Sequence, residues 1–288
     1  MNRFTIHGAR GSMSASGRAH ARYGAETTCF SLETPRGLLI VDAGTGILGL
    51  ADALMRRPSP PDITLLFTHW HLDHVMGLPC FSPIYQRRFR IRILSAAAGQ
   101  KAERALSRVF GPPLWPVPIA GVGAAVTYAR LPGSAAAPRS LWRYGVRIGW
   151  CPVLHPQSCV AYRFDTEYGS VVVATDREHG NPEMDRRLFA FAANADVLVA
   201  DAHYLPSEYP AHRGWGHSTW PEAAKAARAS GVKRLILTHH DRLRTDAQIA
   251  RIAAAAKRVF PECEAARPGM TIDFQREQHR QRGRIKRQ

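Results

Sequence analysis

Residues 63–74 have the sequence ITLLFTHWHLDH, in which a short strand-like run leads directly into a group of polar side chains. The run from Ile63 to Phe67 predicts a strand that is buried on both faces. Its carboxyl end is where an open α/β sheet places a site. Packed together without a metal, the polar groups would be costly to bury, so they indicate a metal site more than a simple polar loop. These side chains are His69, His71, Asp73 and His74.

Four further apolar runs also end on a histidine or an aspartate. One such residue alone is typical of an ordinary turn, but recurrence at four strand ends favours a shared site, since strand ends meet at the same edge of a sheet. Imidazole and carboxylate groups are suitable ligands for zinc and related metals. The residues that terminate these runs are His155, Asp176, Asp201 and the pair His239 and His240.

The segment Gly214–Thr219 has the sequence GWGHST and leads into a predicted helix. Its glycines permit a close approach of the backbone to neighbouring groups. His217 therefore has two interpretations. It is either a residue of the helix cap or a side chain that faces the metals and donates a proton.

Composition indicates a globular α/β protein with an excess of positive charge. The 288 residues are 45% hydrophobic and carry a formal net charge of +16, mostly from arginine. The charge favours anionic partners such as phosphodiesters or RNA, although a solvated arginine-rich surface explains it equally well. Alternating strands and helices predict α/β layers in one domain over residues 1–274. Residues 275–288 are rich in arginine and glutamine and are expected to form a disordered basic tail.

Five cysteines without a C-x-x-C pair argue against a disulfide framework and against a cysteine-rich zinc site. The amino-terminal residues predict a strand and not a signal peptide. No stretch has the length of apolar sequence that a membrane span needs. We therefore expect a cytoplasmic protein with no membrane contact.

Periodicity and capping residues predict the remaining elements. Residues 111–138 are rich in proline, glycine and alanine and are predicted to be loop. Residues 142–153 predict one strand. Capping boxes at Thr219 and Thr245 predict two helix starts. The predicted helices cover residues 45–57, 99–110 and 181–193, together with the two segments that follow these caps.

The motif His-x-His-x-Asp-His at residues 69–74 resembles the signature of the metallo-β-lactamase superfamily. The order of the other polar residues is similar to that of its ribonuclease Z and phosphodiesterase branch over roughly residues 3–260. The resemblance implies an αββα sandwich with a dinuclear metal site at one edge. It implies that the first metal binds His69, His71 and His155, that the second binds Asp73, His74 and His239, and that Asp176 bridges them.

The resemblance also implies roles beyond metal binding. His217 matches a general acid of that branch, and Asp201 matches the acidic residue that orients it. Asp42, in the run Asp42–Thr45, matches a residue that supports the histidine loop. Asp73 is predicted to be catalytic as well as a ligand. His239 is preferred over His240 because it is the first residue after Thr238.

The chain departs from ribonuclease Z in one respect. That enzyme carries a long arm, which docks tRNA, between the single histidine and the bridging aspartate. Here about 20 residues separate His155 from Asp176, which is enough for one hairpin. The β-CASP insertion of mRNA-processing nucleases has no room either. The resemblance therefore indicates the chemistry better than the substrate.

The predicted function is a dinuclear metal-dependent phosphodiesterase that uses a metal-bridging hydroxide. Its substrate would be a cyclic nucleotide, a nucleotide-derived phosphodiester or an RNA end. Zinc is the first choice of metal, and manganese or iron suits the same ligands. Two alternatives stay open. One is a lactone, thioester or lactam hydrolase with the same metal site. The other is a nucleic-acid-binding protein with a structural metal, which Arg88, Arg90 and Arg92 on one strand face would support. The resemblance also allows a homodimer.

Overall fold

Two mixed β-sheets pack face to face in the computed structural model, which describes residues 2–95, 102–132 and 139–274. In chain order, the strands are Arg3–Gly8 (β1), Arg10–Gly11 (β2), Cys29–Thr34 (β3), Gly37–Val41 (β4), Ile63–Phe67 (β5), Arg90–Ser95 (β6), Ala125–Arg130 (β7), Arg139–Arg143 (β8), Val146–Val153 (β9), Cys159–Thr166 (β10), Gly169–Ala174 (β11), Val197–Asp201 (β12), Arg234–Thr238 (β13), His240–Asp241 (β14), Cys263–Ala265 (β15) and Thr271–Asp273 (β16). The α-helices are Ile47–Met55 (α1), Ala102–Leu106 (α2), Pro182–Phe191 (α3), Trp220–Ala229 (α4) and Asp246–Val259 (α5).

Each sheet has seven strands and combines an antiparallel half with a parallel half. The first sheet has the order β16-β1-β3-β4-β5-β6-β7, and β4 to β7 are parallel. The second has the order β15-β13-β12-β11-β10-β9-β8, and β11, β12, β13 and β15 are parallel. The short strands β2 and β14 pair with each other.

Three apolar layers hold the sheets and helices together. The layer between the sheets joins Phe4 and Phe30 of the first sheet to Val173 and Val199 of the second. A second layer packs α1 and α2 on the outer face of the first sheet. A third packs α3, α4 and part of α5 on the outer face of the second. The arrangement is the αββα sandwich that the resemblance to the metallo-β-lactamase superfamily implies.

The central parallel strands explain why the site lies at one edge. β4, β5 and β12 are buried along their whole length, as expected for strands covered on both faces. Their apolar side chains leave only the strand ends for polar groups. Asp42 follows β4, His69 follows β5 by one residue, and Asp201 ends β12.

Residues 111–138 and 142–153 differ from the sequence prediction. The first range contains β7, an edge strand whose residues are exposed or half-buried, so it lacks the apolar run that marks a central strand. The second range is not one strand but a hairpin of β8 and β9. Its turn is Tyr144 and Gly145, which both have positive φ angles, as two-residue hairpin turns require.

Two side chains at helix ends also differ from expectation. Thr219 lies at the N-cap of α4, but its side chain makes no capping hydrogen bond, so the predicted capping box is absent there. Arg88 precedes β6 and its guanidinium donates hydrogen bonds to the carbonyl oxygens of Met55 and Arg57. Arg88 thereby satisfies carbonyls at the end of α1, and only Arg90 and Arg92 remain as exposed arginines of that strand.

Three predictions reach residues that the structure does not describe, and one of them is the predicted loop at 111–138, whose last six residues, 133–138, are not described. The predicted tail at 275–288 lies wholly outside the described residues, as do residues 99–101 of the predicted helix 99–110. Within the described ranges, no helix combines the length and the apolar character needed to cross a membrane.

The capping box of α5 gives a test of local stability. Thr245 Oγ1 accepts a hydrogen bond from the Gln248 backbone, and the Gln248 side chain accepts one from the Thr245 backbone. We expect Thr245→Ala to lower the free energy of unfolding by about 1 kcal/mol, because a helix amide loses its partner. Urea titration measures this difference. Thr245→Ser keeps the hydroxyl and should stay within about 0.5 kcal/mol of the native protein. Equal losses in both variants would contradict the capping role.

Candidate metal centre

Three histidines form the first cluster of the site. His69 and His71 lie on the loop after β5, and His155 lies just beyond β9 of the other sheet. His71 Nδ1 is 3.1 Å from His155 Nε2. One ring nitrogen from each of the three residues lies within 4.8 Å of the others. The two sheets thus contribute to one group of imidazoles.

The second cluster contains two carboxylates and two imidazoles, all buried. Asp73 Oδ2 is 3.3 Å from His74 Nε2 and 3.2 Å from His239 Nε2. Asp176 Oδ2 is 3.2 Å from His74 Nε2, and Asp176 Oδ1 is 3.2 Å from His239 Nε2. Both carboxylates therefore face the same pair of ring nitrogens.

Asp176 connects the two clusters. Its Oδ1 lies 3.8 Å from His69 Nε2 in the first cluster and 3.2 Å from His239 Nε2 in the second. It also groups with His155 and His217 within 4.8 Å. All seven residues predicted as ligands from the sequence lie together at this edge.

Three polar residues at strand ends have a left-handed backbone. The φ angles are +60° at Asp42, +52° at Asp176 and +59° at His239. Such values are unfavourable for residues other than glycine and persist where the surrounding structure fixes them. Each bends the chain where a strand ends, and Asp176 and His239 thereby project into the cluster.

Asp42 holds two parts of the histidine loop. Its carboxylate is fully buried and accepts hydrogen bonds from the Thr68 amide, the Thr68 hydroxyl and His74 Nδ1, each 2.8 Å long. Because His74 Nδ1 donates to Asp42, its Nε2 is the nitrogen that faces Asp73 and Asp176. Asp42 therefore fixes the position and the orientation of the His74 ring.

The backbone at two glycines packs closely against histidine rings of the cluster. A Cβ at Gly11 would lie 2.2 Å from His239 Nδ1, and one at Gly216 would lie 2.1 Å from His155 Nδ1. Only glycine leaves room for these rings. The Gly216 carbonyl accepts a hydrogen bond from His155 Nδ1 (2.9 Å), and the Ser12 amide donates to Asp73 Oδ2 (2.8 Å).

His217 and Asp201 form a separate pair beside the clusters. His217 Nδ1 donates to Asp201 Oδ2 at 2.9 Å, and Asp201 Oδ1 accepts from the amides of Ser218 and His203. Burial opposes the charged imidazolium, but the Asp201 carboxylate outweighs it and the pKa of His217 is raised to about 9. The ring centroid of His217 is 5.6 Å from that of His155 and 4.8 Å from that of His239.

The charge states of the cluster suit a metal. Burial, reinforced by His74, lowers the pKa of His69 well below its usual value, so its imidazole is neutral. Burial opposes ionisation of Asp176, but the nearby His239, His74 and His69 outweigh it and hold the pKa of Asp176 well below its usual range. Burial opposes the charged form of His74, but Asp176, Asp73 and Asp42 outweigh it and raise the pKa of His74 well above its usual value, so a metal that binds this ring would displace a proton.

Two observations test whether a metal fits. Among the described residues, His69 Nε2 and His74 Nε2 are buried and have no hydrogen-bond partner, which is costly unless an ion fills the space between them. The nitrogen and oxygen atoms that would bind a metal lie 3.1–3.3 Å from one another. In a tetrahedral zinc site with bonds of about 2.0–2.1 Å, neighbouring ligand atoms are about 3.3–3.4 Å apart, so the observed spacing is close to the one that zinc needs. The residues present therefore fit divalent metal ions.

Sequence patterns did not reveal two residues of the site. His203 is buried and stacks on His217, with ring centroids 4.5 Å apart. Its Nδ1 donates to the carbonyl oxygen of His239 at 2.9 Å. Its place two residues after Asp201, at a strand end, was a signal that could have identified it. Glu178 follows Asp176 by two residues in the same way.

Glu178 holds the loop that carries His217. Its buried carboxylate accepts hydrogen bonds from the amides of Gly214 (2.6 Å) and Gly216 (2.8 Å) and from the hydroxyl of Tyr209 (2.9 Å). The same loop supplies the carbonyl that orients His155. A carboxylate with three donors is strongly fixed, so Glu178 links the loop to the strand end that carries Asp176.

His240 points away from the cluster. Its Nε2 is 3.2 Å from the carbonyl oxygen of Ala266, and its ring contacts Tyr23 edge to face. The neighbouring His239 instead faces Asp73 and Asp176. The two adjacent histidines therefore have different surroundings.

A cavity of about 900 Å³ opens beside the first cluster. His155 lines it together with Glu178, Tyr209, Arg213 and Asn181 at the start of α3. Its size falls within the range of small-molecule sites. The cavity gives a ligand access to His155 from one side.

Sequence comparisons place the chain in a known family. A family model described as "Beta-lactamase superfamily domain" matches residues 38–240. Ribonuclease Z of Bacillus velezensis is 33% identical over 98 residues, which cover 34% of this chain and 32% of the relative. Ribonuclease Z of Bradyrhizobium diazoefficiens is 37% identical over 87 residues, which cover 30% of this chain and 28% of the relative. The chain thus covers about a third of the length of these curated relatives.

Solved structures with the same fold differ in chemistry. Human tRNase Z, short form, matches with a TM-score of 0.68 and 16% identity over 94% of this chain and 99% of its own. A diphosphatase from the PhnP family matches with a TM-score of 0.68 and 20% identity over 95% and 98%. CmlA, a diiron β-hydroxylase from Streptomyces venezuelae, matches with a TM-score of 0.56 and 12% identity over 85% and 52%. At sequence identities this low, the structural matches show a shared fold and nothing about activity. Together with the family model, they show that the chain belongs to the beta-lactamase superfamily and has the metallo-β-lactamase fold.

Proposed function

We propose that the two clusters hold two divalent metal ions. His69, His71 and His155 would bind the first, Asp73, His74 and His239 the second, and Asp176 both. The unpartnered ring nitrogens and the spacing of the donor atoms support this assignment. Zinc suits the mixed imidazole and carboxylate donors, and manganese or iron suits them as well.

We further propose that the protein hydrolyses phosphodiesters. Metal ions bound at the site would supply Lewis-acid activation of water and charge neutralisation at phosphorus. The observation that carries the proposal is the pair of His217 and Asp201 beside both clusters. A phosphodiester needs an acid near its leaving oxygen, and a buried imidazole held by a carboxylate provides one.

The proton would move from His217 to the leaving group. Its Nδ1 is engaged with Asp201, so Nε2 is the atom that can donate. Attack of water forms a new bond to phosphorus and breaks the bond to the leaving oxygen, the proton from Nε2 neutralises the alkoxide as it forms, and the proton lost by the water passes to solvent. His203 and Ser218 keep Asp201 in place through its other oxygen, since His203 N and Ser218 N both donate to it.

The cavity and the similar proteins support one class of substrate. The cavity beside His155 has room for a nucleotide, and Arg213 gives it a cation for a phosphate. Curated relatives are named ribonuclease Z, and one structural neighbour is a diphosphatase. We therefore propose a cyclic nucleotide, a nucleotide-derived phosphodiester or an RNA end as substrate.

Turnover of a simple diester tests this function. Zinc- or manganese-loaded protein should hydrolyse bis(p-nitrophenyl) phosphate, and a chelator should abolish the activity until metal is restored. Release of p-nitrophenolate measures the rate. If metal-replete protein leaves the diester intact but cleaves a lactone or thioester, the hydrolase acts at carbon and the phosphodiesterase proposal is wrong.

The variant His217→Ala tests whether His217 is the general acid. We expect the variant to keep its metals and to lose turnover by about 100-fold or more on a diester with an alkyl leaving group. On bis(p-nitrophenyl) phosphate the loss should be much smaller, because p-nitrophenolate leaves without a proton. Rates on both substrates and metal content by mass spectrometry measure the difference. Equal losses on the two substrates would indicate that His217 only shapes the site.

Asp42→Asn tests the support of the histidine loop. Asparagine tolerates the left-handed backbone at this position but replaces one acceptor oxygen with a donor, so His74 or Thr68 loses its partner. We expect the Kd for zinc at the cluster that contains His74 to rise about 10- to 100-fold. Competition with a chromogenic chelator measures it. Asp52→Asn, on the exposed face of α1, is the matched control and should bind zinc as the native protein does. An unchanged Kd in Asp42→Asn would exclude the supporting role.

A further inference from the structure

Arginines surround a second cavity, which lies on the outer face of the second sheet. Its volume is about 520 Å³. It lies between the start of β9 and the last turn of α3. Arg139, Arg147, Arg163 and Arg187 line it, together with Asp165. The side chains of Arg147 and Arg187 are 54% and 41% exposed. We call this surface the arginine cavity.

The floor of the arginine cavity is fixed by the fold. Arg163 donates hydrogen bonds to Asp165 and to the carbonyl oxygens of Phe191 and Ala193, at 2.8–2.9 Å. Arg163 therefore caps carbonyl groups at the C-terminal end of α3, and Asp165 largely neutralises its charge. Arg187 pairs with Glu183 one turn earlier, and Arg147 lies 3.7 Å from Asp165. Three arginines, Arg147, Arg163 and Arg187, thus face two carboxylates, and the surface keeps an excess of positive charge.

An exposed aromatic ring lies next to these charges. Trp142 on β8 is 72% exposed and lies directly opposite Arg147 on β9, so both side chains project from the same face of the sheet. β8 is the edge strand of the second sheet. An indole beside several guanidinium groups is the combination with which proteins bind single-stranded nucleic acid, since bases stack on the ring and phosphates pair with the cations.

The helix α3 connects this surface to the candidate metal centre. Asn181 and Pro182 at its start line the cavity beside His155, and Arg187 and Phe191 near its end line the arginine cavity. The helix has 10 residues, so its two ends are about 15 Å apart. Arg147 lies eight residues before His155 along β9, a distance of about 26 Å. A stacked strand that rises about 3.4 Å per nucleotide would cover these distances with roughly four to eight nucleotides.

We propose that the arginine cavity and Trp142 bind the sugar-phosphate chain of a single-stranded nucleic acid whose end lies in the metal centre. The position of that end rests on the proposed function, whereas binding at the arginine cavity does not. The positive net charge of the chain agrees with an anionic polymer. A substrate shorter than roughly four nucleotides would fill the metal centre alone and would not reach these arginines.

Binding of fluorescent RNA oligomers to the full-length protein in chelator tests the proposal. Probes of roughly 3 and roughly 12 nucleotides lie on either side of the distance that α3 spans. The long RNA should bind more tightly. In the double variant Arg147→Gln with Arg187→Gln, its Kd should rise about tenfold and the salt dependence of log K should weaken by about 1.4, which is 0.7 for each lost phosphate contact. The short probe should bind that variant as it binds the native protein.

A matched control removes the same charge from the other edge of the second sheet. Arg251 and Arg258 are exposed on α5, which packs beside β15 at the far end of the sheet order. The double variant Arg251→Gln with Arg258→Gln should keep the Kd and the salt dependence of the native protein. If both double variants weaken binding equally, the effect comes from net charge and the proposal is overturned.

Trp142→Ala separates nucleic-acid binding from self-association. The Kd for the long RNA should rise about five- to tenfold through loss of stacking, with the protein's mass in solution unchanged. If the variant instead changes the oligomeric state and leaves RNA affinity intact, β8 is an interface between copies and the proposal is wrong. Failure of the native protein to hydrolyse any diester, with length-dependent binding retained, would reject the proposed function and leave the arginine cavity as the binding surface.

Discussion

The buried carboxylate of Asp176 lies between two imidazole rings. Its Oδ1 is 3.2 Å from His239 Nε2, its Oδ2 is 3.2 Å from His74 Nε2, and the residue is only 1% exposed. A buried carboxylate is costly unless cations or donors surround it. The fold meets this requirement by bringing imidazoles from both sheets to one edge, where Asp176 also approaches His69. The rest of the site is arranged around this contact, since each imidazole must present its free nitrogen to the same small space.

Hydrogen bonds from residues around the cluster determine which ring nitrogen of a histidine faces the cluster. Asp42 engages His74 Nδ1, and the Gly216 carbonyl engages His155 Nδ1, so Nε2 of both rings is turned toward the cluster. Glu178 in turn holds the loop of Gly216. Such contacts raise the affinity of a metal site by fixing its ligands in advance. The left-handed backbone at Asp42, Asp176 and His239 indicates that local strain is accepted to place them, as is typical of functional sites.

Much of this arrangement could be predicted from the sequence, because apolar runs that end on histidine or aspartate mark buried strands. Those runs predicted α/β layers and the residues that meet at one edge, and the resemblance to the metallo-β-lactamase superfamily implied the αββα sandwich. Edge strands carry no such run, so β7 was predicted as loop and the β8–β9 hairpin as one strand. His203 and Glu178 were not found because a single polar residue near a strand end is common. The contact of the Ser12 amide with Asp73 depends on backbone position alone and leaves no pattern.

The central claim is that one carboxylate, Asp176, joins two metal ions in a single site. Electron paramagnetic resonance of manganese-loaded protein tests it most directly, with metal content determined on the same sample. The account predicts about two manganese ions per chain and the multiline spectrum of an exchange-coupled pair, because a shared carboxylate holds the two ions close together. One ion per chain, or two ions with the six-line spectrum of isolated manganese, would contradict it.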